Sequence, residues 1–363
     1  MSFPAEVLRP VAHESLPGFD DDNLDDALSA FRRSAERLIA GLPAQRAARP
    51  APAGLIRAAR AAMSAEMTGR TFFRHWFRPF RLSQQGFVTA YFEPEIEARL
   101  RPEPGFETPV LARPPDLATL NETPLTLPTG ERLTAARRGA DGALTPYPDR
   151  RAIETFGAAT GVEPIAYLRD PLDAFVLQVQ GSGRLRLADG AKLSLTYDGR
   201  NGWPYMSIGK LLIDLGYAPA SDMTMERLAA ILRGLGLGRD EPGRLLMQQN
   251  RSYVFFRRDD SPERLQGPIG GAGCTLTPLR SIAIDRAMWC YGLPFWVATC
   301  APWENENETR LERLMIGQDT GSAIVGPARA DLFFGSGTQA GRLAGRVRHA
   351  AELTVLLPVD EAP

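Results

Sequence analysis

The stretch Gly86-Phe87-Val88-Thr89-Ala90-Tyr91-Phe92-Glu93-Pro94 is where the chain changes its hydrophobic period. Val88, Ala90 and Phe92 alternate against Thr89, Tyr91 and Glu93, the signature of a strand with one polar face. Pro94 ends it, because proline has no N–H to give to a ladder. Upstream the period is helical. Residues 19–42 open on Asp20, Asp21 and Asp22, which suit a helix N-terminus, and set Leu24, Leu28, Phe31, Ala35 and Leu38 on one stripe. A Pro/Ala/Arg stretch over 43–52 breaks that helix, and a second helical pattern runs over 55–67.

Downstream, residues 102–148 are rich in Pro and Gly and suit loops and short strands, with a domain boundary near 105. In residues 174–197, Phe175, Leu177 and Val179 alternate with Val176, Gln178 and Gln180, which reads as a strand. Gly181-Ser182-Gly183 interrupts it. Arg184 and Arg186 then alternate with Leu185 and Leu187, Asp189-Gly190 supplies a turn, and Leu193, Leu195 and Tyr197 resume, which reads as a hairpin. Helices follow over 207–215 and 225–233, ended by Gly216 and Gly234. From 253 onward, short apolar runs separated by Gly and Pro have the pattern of a β-barrel. The expected class is mainly β with peripheral helices.

At 363 residues the chain exceeds the size at which one core keeps growing, so two domains are expected. Forty-two basic against forty-three acidic residues give a net charge of -1, the wrong balance for neutralising many phosphates, and nucleic acid is excluded as a partner. No apolar run of about eighteen residues appears, so no membrane span is expected. Residues 1–17 carry Glu6, Arg9 and Glu14 and lack the continuous apolar stretch of a signal peptide. Cys274, Cys290 and Cys300 are an odd number without the paired short spacing of a zinc site. The only histidines, His13, His75 and His349, are too far apart in sequence for a metal-ligand motif, so carboxylates are left as the acid–base candidates.

Three aspartates sit where an apolar run meets a turn: Asp285 after Ile282-Ala283-Ile284, Asp319 before Thr320-Gly321-Ser322, and Asp331 before Leu332-Phe333-Phe334. A carboxylate beside apolar groups loses hydration when charged and holds its proton to higher pH, and Asp331 fits this best. A turn or cap role is the plain alternative for each, and for Asp285 an ion pair with Arg286 as well. Asp319-Thr320-Gly321 also has the look of an aspartic-protease turn, but the chain has no second copy. Period-two alternation puts Gln178, Gln180 and Ser182, and separately Tyr91 and Glu93, on polar strand faces. A merely solvated face explains each of them equally well.

Taken in order, these segments resemble the MltA family of lytic murein transglycosylases. Thr89-Ala90-Tyr91-Phe92-Glu93-Pro94 is similar to its TGYYEP element, and Asp170-Pro171-Leu172-Asp173-Ala174-Phe175 through Gln178-Val179-Gln180-Gly181-Ser182-Gly183-Arg184 to its DP-D-F-LQ-QGSGR element. Residues 197–209, 250–256 and 267–270, then Asp285-Arg286 and 319–337, continue the series. Ala90, Phe92 and Ser322 depart from the family's usual Gly, Tyr and Gly.

The resemblance implies a double-psi β-barrel built from residues 20–104 and 258–358, an inserted second β-barrel domain over 105–257, and a glycan groove between them. It implies cleavage of the β-1,4 bond between N-acetylmuramic acid and N-acetylglucosamine, leaving a 1,6-anhydro end, with no cofactor or metal. The catalytic aspartate maps onto Asp331, accompanied by Asp319 and Asp285, with glycan contacts from Thr89, Tyr91, Glu93, Gln178, Gln180, Ser182 and Gly183. The expected partner is the peptidoglycan strand, met by a monomer in the periplasm and outer-membrane associated only through a lipid anchor on the native precursor. Two other readings stay open: a carbohydrate-binding protein without turnover, and a two-carboxylate hydrolase.

Overall fold

The computed structural model describes residues 7–64, 66–120, 123–156 and 161–361, so the first six residues of the 1–17 stretch lie outside it. The chain folds into two compact units, residues 1–92 with 262–363, and residues 93–261. Strands predominate, with helices around them, as the alternating patterns predict.

The first unit carries eight strands in one sheet: β1 (Leu8–Pro10), β2 (Phe77–Leu82), β3 (Gly86–Glu93), β4 (Ser281–Ala283), β5 (Pro294–Ala301), β6 (Thr309–Asp319), β7 (Arg329–Ser336) and β8 (Arg348–Pro358). Their order is β1-β2-β8-β5-β6-β4-β7-β3, and β8 pairs with β3 as well. Six of them therefore close into a ring, which leaves those strands no open edge. β8 pairs with β5 along one edge and serves two partners along the other, its first residues, Arg348 to Ala351, pairing with β3 and its last, Thr354 to Pro358, with β2.

Short β4 sits between β6 and β7, parallel to one and antiparallel to the other, so Ala283 lies opposite Asp319 on one side and Asp331 on the other. Alternation along β7 sends Ala330, Leu332 and Phe334 into the core and turns Asp331 and Phe333 to the opposite face. β3 behaves as its sequence predicts: Val88 is fully buried, and Ala90 and Phe92 pack on the same core.

Three helices from the N-terminal part of the chain pack on this unit. α1 (Leu24–Ala40) buries Leu24, Leu28, Phe31 and Ala35 and ends at Gly41 in the left-handed conformation. It starts later than residue 19, because Asp22 is used otherwise: its carboxylate takes two bonds of 2.7 Å from the Arg280 guanidinium. α2 (Ala53–Ser64) follows the predicted second pattern. α3 (Gly69–Trp76) went unpredicted; it is capped by the Thr68 hydroxyl and adds Phe72 and Phe73 to an aromatic cluster with Phe31 and Phe77.

The second unit has a six-stranded sheet in the order Val254–Arg258, Lys192–Arg200, Ser182–Arg186, Glu95–Arg99, Pro164–Leu168 and Thr108–Leu111, and a single bridge from Ala112 to Phe256 links its edges. The expected hairpin is present in Ser182–Arg186 and Lys192–Arg200, turning at Asp189-Gly190.

The strand expected over 175–180 is a helix instead, Pro171–Gln180. Its signals lie at the ends: the Asp170 carboxylate accepts from the Asp173 N–H, proline stands in the first turn, and Gly181 closes it at φ 77°. The apolar stripe that would have marked a helix is missing, because both sides are buried. Leu172 and Phe175 pack into a cluster with Ile208, Leu212 and Leu232, while Ala174 and Leu177 pack against the sheet. Gln178 and Gln180 are thus helical residues, not members of a polar strand face.

Among the described residues no helix is long and apolar enough to cross a membrane, and all three cysteines are free.

Candidate active site

β7 and β3 bring Asp331 and Thr89 together: the Thr89 hydroxyl donates to Asp331 Oδ1. Asp331 is half-buried, with Leu332 and Phe334 of its own strand in the core behind it. Burial raises its pKa above the ordinary value of 3.8 by penalising the charged form. The Thr89 hydrogen bond and the Arg329 guanidinium pull the other way, the nearby Asp319 charge adds to the rise, and the balance is upward.

Asp319, at the end of β6, is held by three donors. The backbone N–H groups of Gly271 and Thr320 reach Oδ1 at 2.7 and 2.8 Å, and the Tyr91 hydroxyl reaches Oδ2 at 2.9 Å. The Tyr91 ring lies 5.4 Å from Phe333, so β3 alternation puts Thr89 and Tyr91 opposite Asp331 and Phe333. Burial, then the Asp319 charge, push the Tyr91 phenol well above 10, so it acts as a proton donor to Asp319.

Asp285 is used differently. Its two oxygens accept the backbone N–H groups of Ala287 at 2.9 Å and Gly326 at 2.7 Å, the turn role that aspartates commonly fill. The ion pair with Arg286 does not form; that guanidinium donates to the Ala47 carbonyl.

The other residues expected at the glycan belong to the second unit. Glu93 is fully buried and ion-paired with Arg184 at 3.0 Å. Gln178 is buried beside Tyr253, and Ser182 is buried in its strand. Gln180 is half-buried at the helix end, and Gly183 packs against Leu177 and Pro94.

Sequence reasoning missed Arg329, Arg46 and Gly271. Arg329 stands two residues before Asp331 on the same strand, so alternation alone could have placed both on one face. Arg46, whose guanidinium donates to the Thr320 carbonyl at 2.9 Å, lies in a stretch that gives no local signal. Among the described residues, no group of three or more His, Cys, Asp or Glu side chains is arranged to hold a metal ion.

Fold and site define a β-barrel protein with two carboxylates on the strands that flank β4, one of them biased by burial toward its protonated form. The MltA specific insert domain matches residues 87–257 and the 3D domain residues 280–357. The crystal structure of a membrane-bound lytic murein transglycosylase from Agrobacterium tumefaciens is similar at a TM-score of 0.86 and 32% identity, over 97% of this chain and 98% of that one. Escherichia coli MltA with bound chitohexaose is similar at a TM-score of 0.66 and 25% identity, over 94% and 90%. Membrane-bound lytic murein transglycosylase A of Escherichia coli K12 is 31% identical over 273 residues, which is 74% of this chain. The chain spans 64% of that relative's length. The chain belongs to the MltA family of lytic murein transglycosylases.

Proposed function

We propose that the chain is a peptidoglycan lytic transglycosylase that cuts the β-1,4 bond between N-acetylmuramic acid and N-acetylglucosamine and leaves a 1,6-anhydro end. The observation that carries this reading is Asp331: half-buried, raised in pKa, and steadied by Thr89. The chitohexaose bound to the Escherichia coli relative supports a β-1,4-linked amino-sugar chain as the ligand class.

In the proposed reaction Asp331 begins protonated and gives its proton to the glycosidic oxygen as the bond to C1 of the muramic acid breaks. The departing N-acetylglucosamine keeps that proton as its hydroxyl. The Asp331 carboxylate then takes the proton of the C6 hydroxyl while that oxygen closes onto C1, and the enzyme is back in its starting state. No water is consumed, which is why one carboxyl group suffices where ordinary glycoside hydrolysis employs two. The attacking oxygen belongs to the same sugar ring, and that proximity removes several kcal/mol from the barrier.

Asp319, fixed by its three donors, supplies negative charge as positive charge develops at C1. Thr89 and Tyr91 are the glycan-facing polar residues retained in this reading. The finer fold reading, that the six-strand ring is a double-psi barrel and the second unit a barrel of its own, is part of the same proposal. So is a monomer placed in the periplasm at the outer membrane through a lipid anchor, testable by cell fractionation.

Mass spectrometry of the soluble products from purified peptidoglycan tests the reaction. The proposal expects muropeptides lighter by one water than hydrolysis products. Reducing ends alone would make the chain a hydrolase, and binding without release a carbohydrate-binding protein.

A further inference from the structure

We propose that Arg329 is a positioning residue which, acting through Thr89, fixes the acidic proton of Asp331 on Oδ2. The inference rests on the proposed role of Asp331 as acid and then base.

The chain of contacts runs in one direction. Arg329 Nη2 donates to Thr89 Oγ1 at 2.7 Å, and Thr89 Oγ1 donates to Asp331 Oδ1. An arginine has only donors, whereas a threonine hydroxyl has one proton and two lone pairs. With a guanidinium N–H on its oxygen, Thr89 is a better donor and a poorer acceptor, so its single proton is committed to Oδ1. A protonated Asp331 then carries its own proton on Oδ2, the oxygen that must face the leaving group. Without Arg329 the Thr89 hydroxyl is free to turn and accept from Asp331, which buries the catalytic proton in an internal bond.

The guanidinium is itself held. It also donates to the carbonyls of Ala330 and, at 3.4 Å, Phe87, and lies 5.3 Å from the centre of the Phe87 ring. The charged and titratable groups around Asp331 are Arg329 on its own strand, Tyr91 on β3 and Asp319 on β6, with Arg46 beyond Tyr91; β4 presents Ala283. The Arg329 charge lowers the Asp331 pKa, so removing it raises that pKa. Turnover that starts from protonated Asp331 falls as pH rises through this value, and the loss therefore moves to higher pH in an Arg329→Met variant.

The test is a double-mutant cycle on kcat and KM over a pH series, with Arg329→Met, Thr89→Val and both together. Arg329→Met is expected to lower kcat on the low-pH plateau about 10- to 100-fold with KM little changed, and to add nothing to that plateau loss in the Thr89→Val background, since both act there through one bond. Arg329→Lys keeps the charge and the stem; it is expected to fold, to keep the wild-type pH limb and to recover part of kcat. If Arg329→Met does not fold, Arg329→Lys combined with Thr89→Val closes the same cycle. Independent, additive losses of kcat, or wild-type kcat and pH limb in a folded Arg329→Met, would overturn the proposal. Failure of the underlying reading looks different: the wild-type protein then forms no anhydro product.

Discussion

Asp331 accepts a side-chain hydrogen bond from Thr89, and Asp319 accepts three hydrogen bonds; the proposed division of labour follows from that contrast. Tyr91→Phe deletes one of the Asp319 donors while keeping the ring against Phe333. Loss of a hydrogen bond to a charged group is expected to cost about 1.5–3 kcal/mol of stability, read from thermal unfolding, with measurable turnover retained. A folded Tyr91→Phe protein without any turnover would instead give the phenol a direct part in proton transfer. At this scale the sequence was informative where neighbours in the chain are neighbours in space, as with Asp331 and its Leu332-Phe333-Phe334 run. It was silent on Arg46 and Gly271, which reach Thr320 and Asp319 respectively only through the fold. Asp285 carried the same local signature as the other two aspartates, and it fills the turn role weighed against them, with one oxygen on the Ala287 N–H two residues on and the other on the Gly326 N–H, which only the fold brings near.

Elements were legible where one face meets core and the other does not. β3 and the hairpin strands Ser182–Arg186 and Lys192–Arg200 satisfy that condition; helix Pro171–Gln180, buried on both sides, does not, and its caps were the better guide. The same helix explains why Gly183 is glycine. A Cβ there would stand 2.3 Å from Leu177 Cδ1 and 3.3 Å from the Pro94 carbonyl, and Leu177 is fully buried with no room to swing. Gly183→Ala is expected to lower stability by about 1–3 kcal/mol through overpacking, seen as a lower denaturant midpoint at unchanged slope. A midpoint equal to wild type would mean that the helix and strand separate readily. Asp170→Ala is expected to lose about 1 kcal/mol in the same assay, because it removes the N-cap carboxylate.

The unit built from both ends of the chain depends on a buried contact between them. Asp22, just before α1, and Arg280, just before β4, form a two-bond ion pair with side chains only 3% and 2% exposed, and the Leu314 N–H of β6 also donates to Asp22. Breaking such a pair from one side strands the other charge, so Asp22→Ala is expected to destabilise by about 3–5 kcal/mol. Because the pair is out of water, the loss should persist at high ionic strength, where surface pairs are screened. A loss below about 1 kcal/mol in urea unfolding would assign the pair to the surface class. Neither partner was singled out from sequence: 258 positions separate them, and Asp22 passed for a simple helix-opening residue.

The central claim is that one carboxyl group, Asp331, serves as acid and then base. It is tested most directly by measuring turnover on purified peptidoglycan, alongside glycan binding and melting temperature, for Asp331→Asn and Asp319→Asn. Asp331→Asn keeps the shape but cannot cycle a proton, so the account predicts a folded protein that binds glycan and releases nothing, while Asp319→Asn keeps measurable turnover or loses stability. Near-normal turnover in Asp331→Asn, with Asp319→Asn folded, binding and dead, would contradict the account and move the chemistry to Asp319.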